Sequence, residues 1–214
     1  MSSDVKTIGI IGAGKLGVVL SQLALKAGYN VYISGSSDPK KIALTFQVLA
    51  PGAVAATSAE VALYSDVIIL ALPLGKFRSL PKVELAGKLV IDAMNYWWEI
   101  DGDRDGFLDS TQSSSEAVQE FLKDSRIVKA LNHMGYHDLH DENRPAGEPG
   151  RKAIAVAGDD EQDVEIVSSI INNLGFDSLH IGILASGKKL EPGGNVFGVD
   201  VEKNQLRDLL EASN

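Results

Sequence analysis

The chain has no cysteine. Disulfides, thiol nucleophiles and zinc–thiolate centres are therefore excluded. Basic residues are scarce beside acidic ones: 20 Lys and Arg against 29 Asp and Glu give a formal net charge of −9. A nucleic-acid partner requires a basic footprint that displaces counterions, and nothing longer than Lys40-Lys41 or Lys188-Lys189 is present. The same shortage argues against a polybasic membrane-surface site. No apolar run approaches the roughly 18 residues of a membrane span, and Met1-Ser2-Ser3-Asp4 carries no basic leader stretch. A soluble cytoplasmic protein with no membrane partner is the expectation. The 21 Gly and 7 Pro follow no period, which excludes a collagen-like chain, and 44% hydrophobic residues in 214 supply a packed core without staples.

What is present is an alternation of short β-branched runs and helical periodicities. Thr7–Ile11 reads as a buried strand. Val18–Ala27 has helical spacing and stops at Gly28, and Asn30–Ser34 reads as the next strand. Asp38-Pro39 opens a helix over Lys40–Leu49, with Asp38 as cap and Pro39 in the first helical position. Further strands are expected at 54–56, Asp66–Leu72, Leu89–Asp92, Arg126–Leu131, Ala153–Ala157 and Ser178–Ile181. Further helices are expected at Ser58–Tyr64, Ser115–Leu122, Asp160–Leu174 and 201–210. Continuous apolar strands between helices predict an α/β, Rossmann-like, doubly wound and mainly parallel sheet covered on both faces. Residues 1–184 read as one domain, and 185–214 as a C-terminal arm, lid or dimer element.

The most informative segment is Gly12-Ala13-Gly14-Lys15-Leu16-Gly17. It follows a strand and opens a helix, the setting that makes G-x-G-x-x-G a dinucleotide signal. Gly12 permits the tight turn, Gly14 lets a pyrophosphate approach the backbone, and Gly17 lets helix and strand pack closely. The helix N-terminus favours the anion. The second strand ends in Ser34-Gly35-Ser36-Ser37, without the acid that accepts from a ribose 2′-OH. These hydroxyls, with Lys40 and Lys41 just beyond, favour NADP over NAD.

The chain resembles the coenzyme F420-dependent NADP oxidoreductases, whose dinucleotide-binding domain is of the pyrroline-5-carboxylate reductase and 6-phosphogluconate dehydrogenase type. The cytoplasmic domain of the six-transmembrane metalloreductases is a relative of that family. The resemblance rests on the glycine turn and on Gly35-Ser36-Ser37, where Ser37 stands in place of the family's Arg. Ala71-Leu72-Pro73, Asp92-Ala93-Met94-Asn95, Val128-Lys129-Ala130-Leu131-Asn132 and Ala157-Gly158-Asp159-Asp160 carry it further along the chain. It implies NADP as cofactor, a homodimer, and hydride exchange with F420, FMN, FAD or a similar flat acceptor as co-substrate. Cofactor contacts then fall on Gly12 to Gly17, Ser34 to Ser37, Lys41, Ala71, Leu72, Pro73, Asn95, Ala130, Leu131 and Asn132.

Hydride transfer is mostly a matter of positioning. A carbonyl or imine acceptor also needs a proton donor. His133 and Tyr96 are the candidates for that role, with Asn95 beside them. Tyr96, Trp97 and Trp98 read either as an apolar anchor or as a wall on which an acceptor stacks. Two metal-like patterns are weak. Asp101-x-Asp103-x-Asp105-Gly106 copies the start of a calcium loop but has Gln112 where a bidentate Glu belongs. His133, His137 and His140 have helical spacing, but Gly135 argues against a helix there. No metal is expected. A reductase of small carbonyl or imine substrates and a non-catalytic NADP-sensing module are the competing readings.

Overall fold

The computed structural model describes residues 5–103, 108 and 112–212. Among the described residues eight strands form one sheet: β1 Thr7–Ile11, β2 Asn30–Ser34, β3 Val54–Ala55, β4 Val67–Leu70, β5 Leu89–Asp92, β6 Arg126–Lys129, β7 Ala153–Gly158 and β8 Asp177–His180. Their order is β3-β2-β1-β4-β5-β6-β7-β8. Every pairing is parallel except β6 with β7. The α/β, Rossmann-like, mainly parallel sheet read from the sequence is therefore the fold observed. The order reverses between β1 and β4, and open α/β sheets bind ligands in the crevice beyond the carboxyl ends at such a point.

The strands are apolar because both faces are covered. Alternate residues go to opposite sides: Ile8, Ile10, Ile69 and Ile91 join one core, Ile68, Leu70 and Val90 the other. Helices α1 (Lys15–Lys26), α2 (Lys40–Leu49), α7 (Tyr136–Asp141) and α8 (Glu161–Leu174) contribute to the first core. Helices α3 (Ser58–Tyr64), α4 (Lys82–Leu85) and α6 (Ser114–Phe121) contribute to the second. Local chemistry sets several boundaries. Thr57 and Glu60 make a capping box on α3, Ser113 and Glu116 another on α6, and the Asp160 carboxylate caps α8. Gly175, with φ of +106°, ends α8 in the left-handed conformation that glycine adopts without strain. Asp38 accepts from the Lys40 N–H at 2.9 Å, and Pro39, expected in the first helical position, stands at the N-cap of α2 instead.

Three stretches differ from the sequence reading. Residues 74–88 hold a 3-10 helix, Leu74–Ser79, and then α4, neither of which the periodicity showed. α7 forms in spite of Gly135, because that glycine is its N-cap in extended backbone and lies outside the helix. β6 stops at Lys129, where a strand to Leu131 was expected, because Leu131 takes φ of +65°. The segment expected as an arm, lid or dimer element lies against β6 to β8. A second 3-10 helix, Leu184–Leu190, and α9 (Lys203–Glu211) bury Leu190, Val196, Leu206 and Leu210 against Ala153, Ala155 and Leu179. No described helix is long and apolar enough to cross a membrane.

Candidate dinucleotide site at the carboxyl edge

The turn after β1 is built from glycines for three separable reasons. Gly12 has φ of +127°, and a Cβ there would sit 2.2 Å from the Ala71 carbonyl oxygen. A Cβ on Gly17 would sit 1.9 Å from the Gly12 oxygen, so only glycine lets α1 approach its strand this closely. Gly14 differs from both. Its backbone is extended, at φ −81° and ψ −170°, and a Cβ would meet nothing within 4 Å. Open space therefore lies over Gly14, which is the N-cap of α1. No side chain caps that helix, and the first-turn N–H groups of Lys15, Leu16 and Gly17 have no intrahelical acceptor. The chain thus presents bare donors, and the positive end of a helix dipole, to a cavity. These are the features that admit a pyrophosphate.

The cavity is a cleft of about 680 Å³. Its floor is Ile11 to Gly14. One wall is Gly35, Ser36, Ser37, Ile42 and Ser58; the other is Ala71, Leu72, Pro73, Lys76, Ser79 and Leu80. Nine residues expected at a cofactor fall on it: Gly12, Ala13, Gly14, Gly35, Ser36, Ser37, Ala71, Leu72 and Pro73. Ser34 lies beneath it, buried, with its hydroxyl 3.0 Å from that of Ser58. Lys41, on the exposed first turn of α2, is not among the lining residues. Lys15 extends over the ring of Tyr136 at 5.4 Å, and Leu16 packs on the first core. Ile11, Ile42, Ser58, Lys76, Ser79 and Leu80 line the cleft and were not anticipated. Pro73 was the one signal available for the last three, because it stands at the start of the 3-10 turn that carries them.

Beyond β5 and β6 the edge is built from a buried polar network. The Lys129 ammonium and the Asp92 carboxylate are fully buried and 3.3 Å apart. Lys129 donates to the Met94 carbonyl at 2.6 Å, and Asp92 accepts from the Met94 N–H at 2.9 Å and from the Ser115 hydroxyl at 2.6 Å. An ion pair thus clamps both polar groups of one peptide residue. The next residue, Asn95, donates to the Asn132 carbonyl at 2.7 Å and accepts from the Asn132 side chain at 3.0 Å. Asn132 also donates to the Leu190 carbonyl at 2.7 Å, which ties the C-terminal segment in. The positive φ of Leu131, rare for a buried branched side chain, aims Asn132 at these partners. Ala130 and Leu131 are themselves fully buried.

The two proton-donor candidates are committed elsewhere. His133 is fully buried, and its Nε2 accepts from the Ala155 N–H at 2.9 Å. Burial pushes its pKa down to about 4, against a small opposing effect of the Val196 backbone, so the ring is neutral near pH 7. Its Nδ1 has no hydrogen-bond partner of good geometry among the described residues. The Tyr96 hydroxyl donates to the Gly102 carbonyl at 2.7 Å. Trp97 stacks edge-on against Phe197, and Trp98 on α5 (Trp98–Asp101) is exposed. Asp101 accepts from the Gly75 and Trp97 N–H groups, so the first acid of the calcium-like pattern closes its own turn and ties it to the 3-10 helix. Asp105 and Gly106 of that pattern lie outside the described residues.

Metalloreductase STEAP3 of Rattus norvegicus is 29% identical over 187 residues, covering 86% of this chain and 35% of that protein, so the chain spans about a third of its relative's length. Two solved structures share the fold. The hypothetical protein SMa0349 of Sinorhizobium meliloti superimposes with a TM-score of 0.79 at 25% identity, covering 92% of this chain and 96% of that one. A candidate F420-dependent NADP-reductase of Arthrobacter sp. FB24 gives 0.72 at 22% identity, covering 86% and 87%. The glycine corner, the switch-point cleft and the β5 end all lie within residues 7–96, and those residues match the family described as NADP oxidoreductase, coenzyme F420-dependent.

Proposed function

We propose that the chain is an NADP(H)-dependent oxidoreductase whose second substrate is a flat hydride acceptor of the flavin or deazaflavin kind. The observation that carries the reading is the open space over Gly14 at an uncapped helix start, with Gly12 and Gly17 closing the turn around it. Gly12 to Gly17 hold the pyrophosphate, Ser36 and Ser37 the ribose end, and Ala71 to Pro73 the opposite wall. When bound, the dinucleotide supplies the hydride. The chain's own part is then to orient and exclude water. The Met94 clamp fixes Asn95, and the Asn95–Asn132 pair holds the edge rigid where the nicotinamide end is expected. We assign Asn95 a positioning role there, and Ala130 and Leu131 the backing of that pocket.

The acceptor follows from what the edge supplies. His133 is neutral, buried and accepting, and Tyr96 already donates within its own loop. Neither is placed to protonate a carbonyl or imine, so an acceptor that takes hydride without a side-chain acid fits better. Exposed Trp98 and half-exposed Trp97 give such an acceptor a surface to stack on. Mixing NADPH-loaded protein with FMN, FAD, F420 and quinones in a stopped-flow instrument tests this. Reduction of a flavin or F420 faster than in the protein-free control is expected. Failure with every acceptor, while NADPH still binds, returns the chain to the sensing-module reading. Sedimentation tests the homodimer implied by the family resemblance, which is proposed here on that basis alone.

A further inference from the structure

We propose that Lys76 selects a 2′-phosphorylated dinucleotide, gripping the phosphate from across the cleft. The proposal rests on the dinucleotide reading above and deepens it. An NAD site places an acid at the end of the second strand. Here Ser36 and Ser37 stand there, so a 2′-phosphate meets hydroxyl donors without repulsion, but also without a cation on its own wall. Lys41 does not line the cleft. Among the described residues that do, Lys76 alone carries a formal charge.

Its placement is built. Leu74 and Phe77 are buried and hold the 3-10 helix against the second core. The Lys76 N–H donates to the Pro73 carbonyl at 3.0 Å, and the Lys76 carbonyl accepts from the Ser79 hydroxyl at 2.7 Å. Asp101 fixes the same turn through the Gly75 N–H at 2.8 Å. The neighbouring Arg78 guanidinium lies over the Phe77 ring at 5.0 Å. Lys76 lines the same cleft as Ser36 and Ser37, on the turn that follows β4, while they follow β2. An ammonium is a point-charge phosphate partner, and hydroxyls complete its shell. The chain is acidic overall, so one lysine in the cleft is a local exception that a dianionic group exploits.

Calorimetric titration with NADPH, NADH, 2′,5′-ADP and 5′-AMP tests the proposal on wild-type protein and on Lys76→Ala, Lys76→Arg and Lys41→Ala. For Lys76→Ala we expect NADPH and 2′,5′-ADP to bind about ten- to a hundredfold more weakly. NADH and 5′-AMP should be unchanged within about twofold, and the melting temperature retained because Lys76 is exposed. Lys76→Arg should restore most of the loss. Equal weakening of both dinucleotides would place the contact on the pyrophosphate and overturn the proposal. So would a loss carried by Lys41→Ala instead, or a wild type that binds NADH as tightly as NADPH. A wild type that binds neither dinucleotide would sink the underlying reading as well.

Discussion

The two halves of the carboxyl edge solve the same problem by opposite means. Around β1 and β4 the chain removes side chains, so that backbone and a helix start face a cleft. Around β5 and β6 it buries charge and amides, so that backbone is clamped in place. The first half is a receptor whose shape depends on atoms that are missing. The second is a scaffold whose rigidity depends on buried charge and amide partners drawn from several elements. Their failures should therefore differ in kind. The bare half tolerates a side chain only where there is room, and the clamped half tolerates no loss of a partner.

Substitutions at Gly12 and Gly17 should have the largest effects. Gly12→Ala combines a forbidden φ with a 2.2 Å clash, and Gly17→Ala drives a Cβ into the turn. Each should destabilise by about 4 kcal/mol or prevent folding, as read by urea denaturation. Retained stability in either would mean the turn is looser than described. Next comes the clamped half. Lys129→Met leaves Asp92 buried without its cation, a change worth about 3–5 kcal/mol. Lys129→Met with Asp92→Leu should recover part of that loss, but not all, because Asp92 also holds Met94 and Ser115. A single-variant loss below about 1 kcal/mol would show that the clamp is not a structural unit.

A smaller effect is expected from His133. Its folded pKa lies below the ordinary value of 6.5, so the unfolded chain binds the proton more readily. The stability is fully present above about pH 6.5 and is lost as pH falls toward about 4. Between pH 7 and pH 5 the loss should be about 2 kcal/mol from this residue. Comparing the pH dependence of unfolding in wild type and His133→Gln isolates it. Equal slopes in the two would mean that the ring is not buried neutral.

The same contrast explains what the sequence disclosed. Glycine spacing after an apolar strand is local, so Gly12, Gly14 and Gly17 could be assigned roles before any coordinates. The β-branched runs of β1, β4 and β5 likewise revealed a doubly covered sheet. The clamp unites Asp92, Met94, Ser115 and Lys129 from three elements, and no local period encodes that meeting. Lys76 stayed hidden because a 3-10 turn has no amphipathic stripe to find. The proton-donor expectation at His133 came from its place in the chain, whereas its burial beside Ala155 depends on β7. Leu190 and Val196 are isolated in sequence and form a core only once β7 and α9 lie beside them.

The smallest change in stability should accompany the most informative loss of function. Gly14 has ordinary backbone angles and open space where a side chain would go, so Gly14→Val should cost only about 1 kcal/mol, for a poorer N-cap residue. Its side chain would nonetheless fill the approach to the helix start. Titrating NADPH into wild type and Gly14→Val by calorimetry is the most direct test. The expected result is binding by the wild type and at least tenfold weaker binding by a variant that melts within a few degrees of it; equal affinities, or no binding by the wild type, would contradict the account.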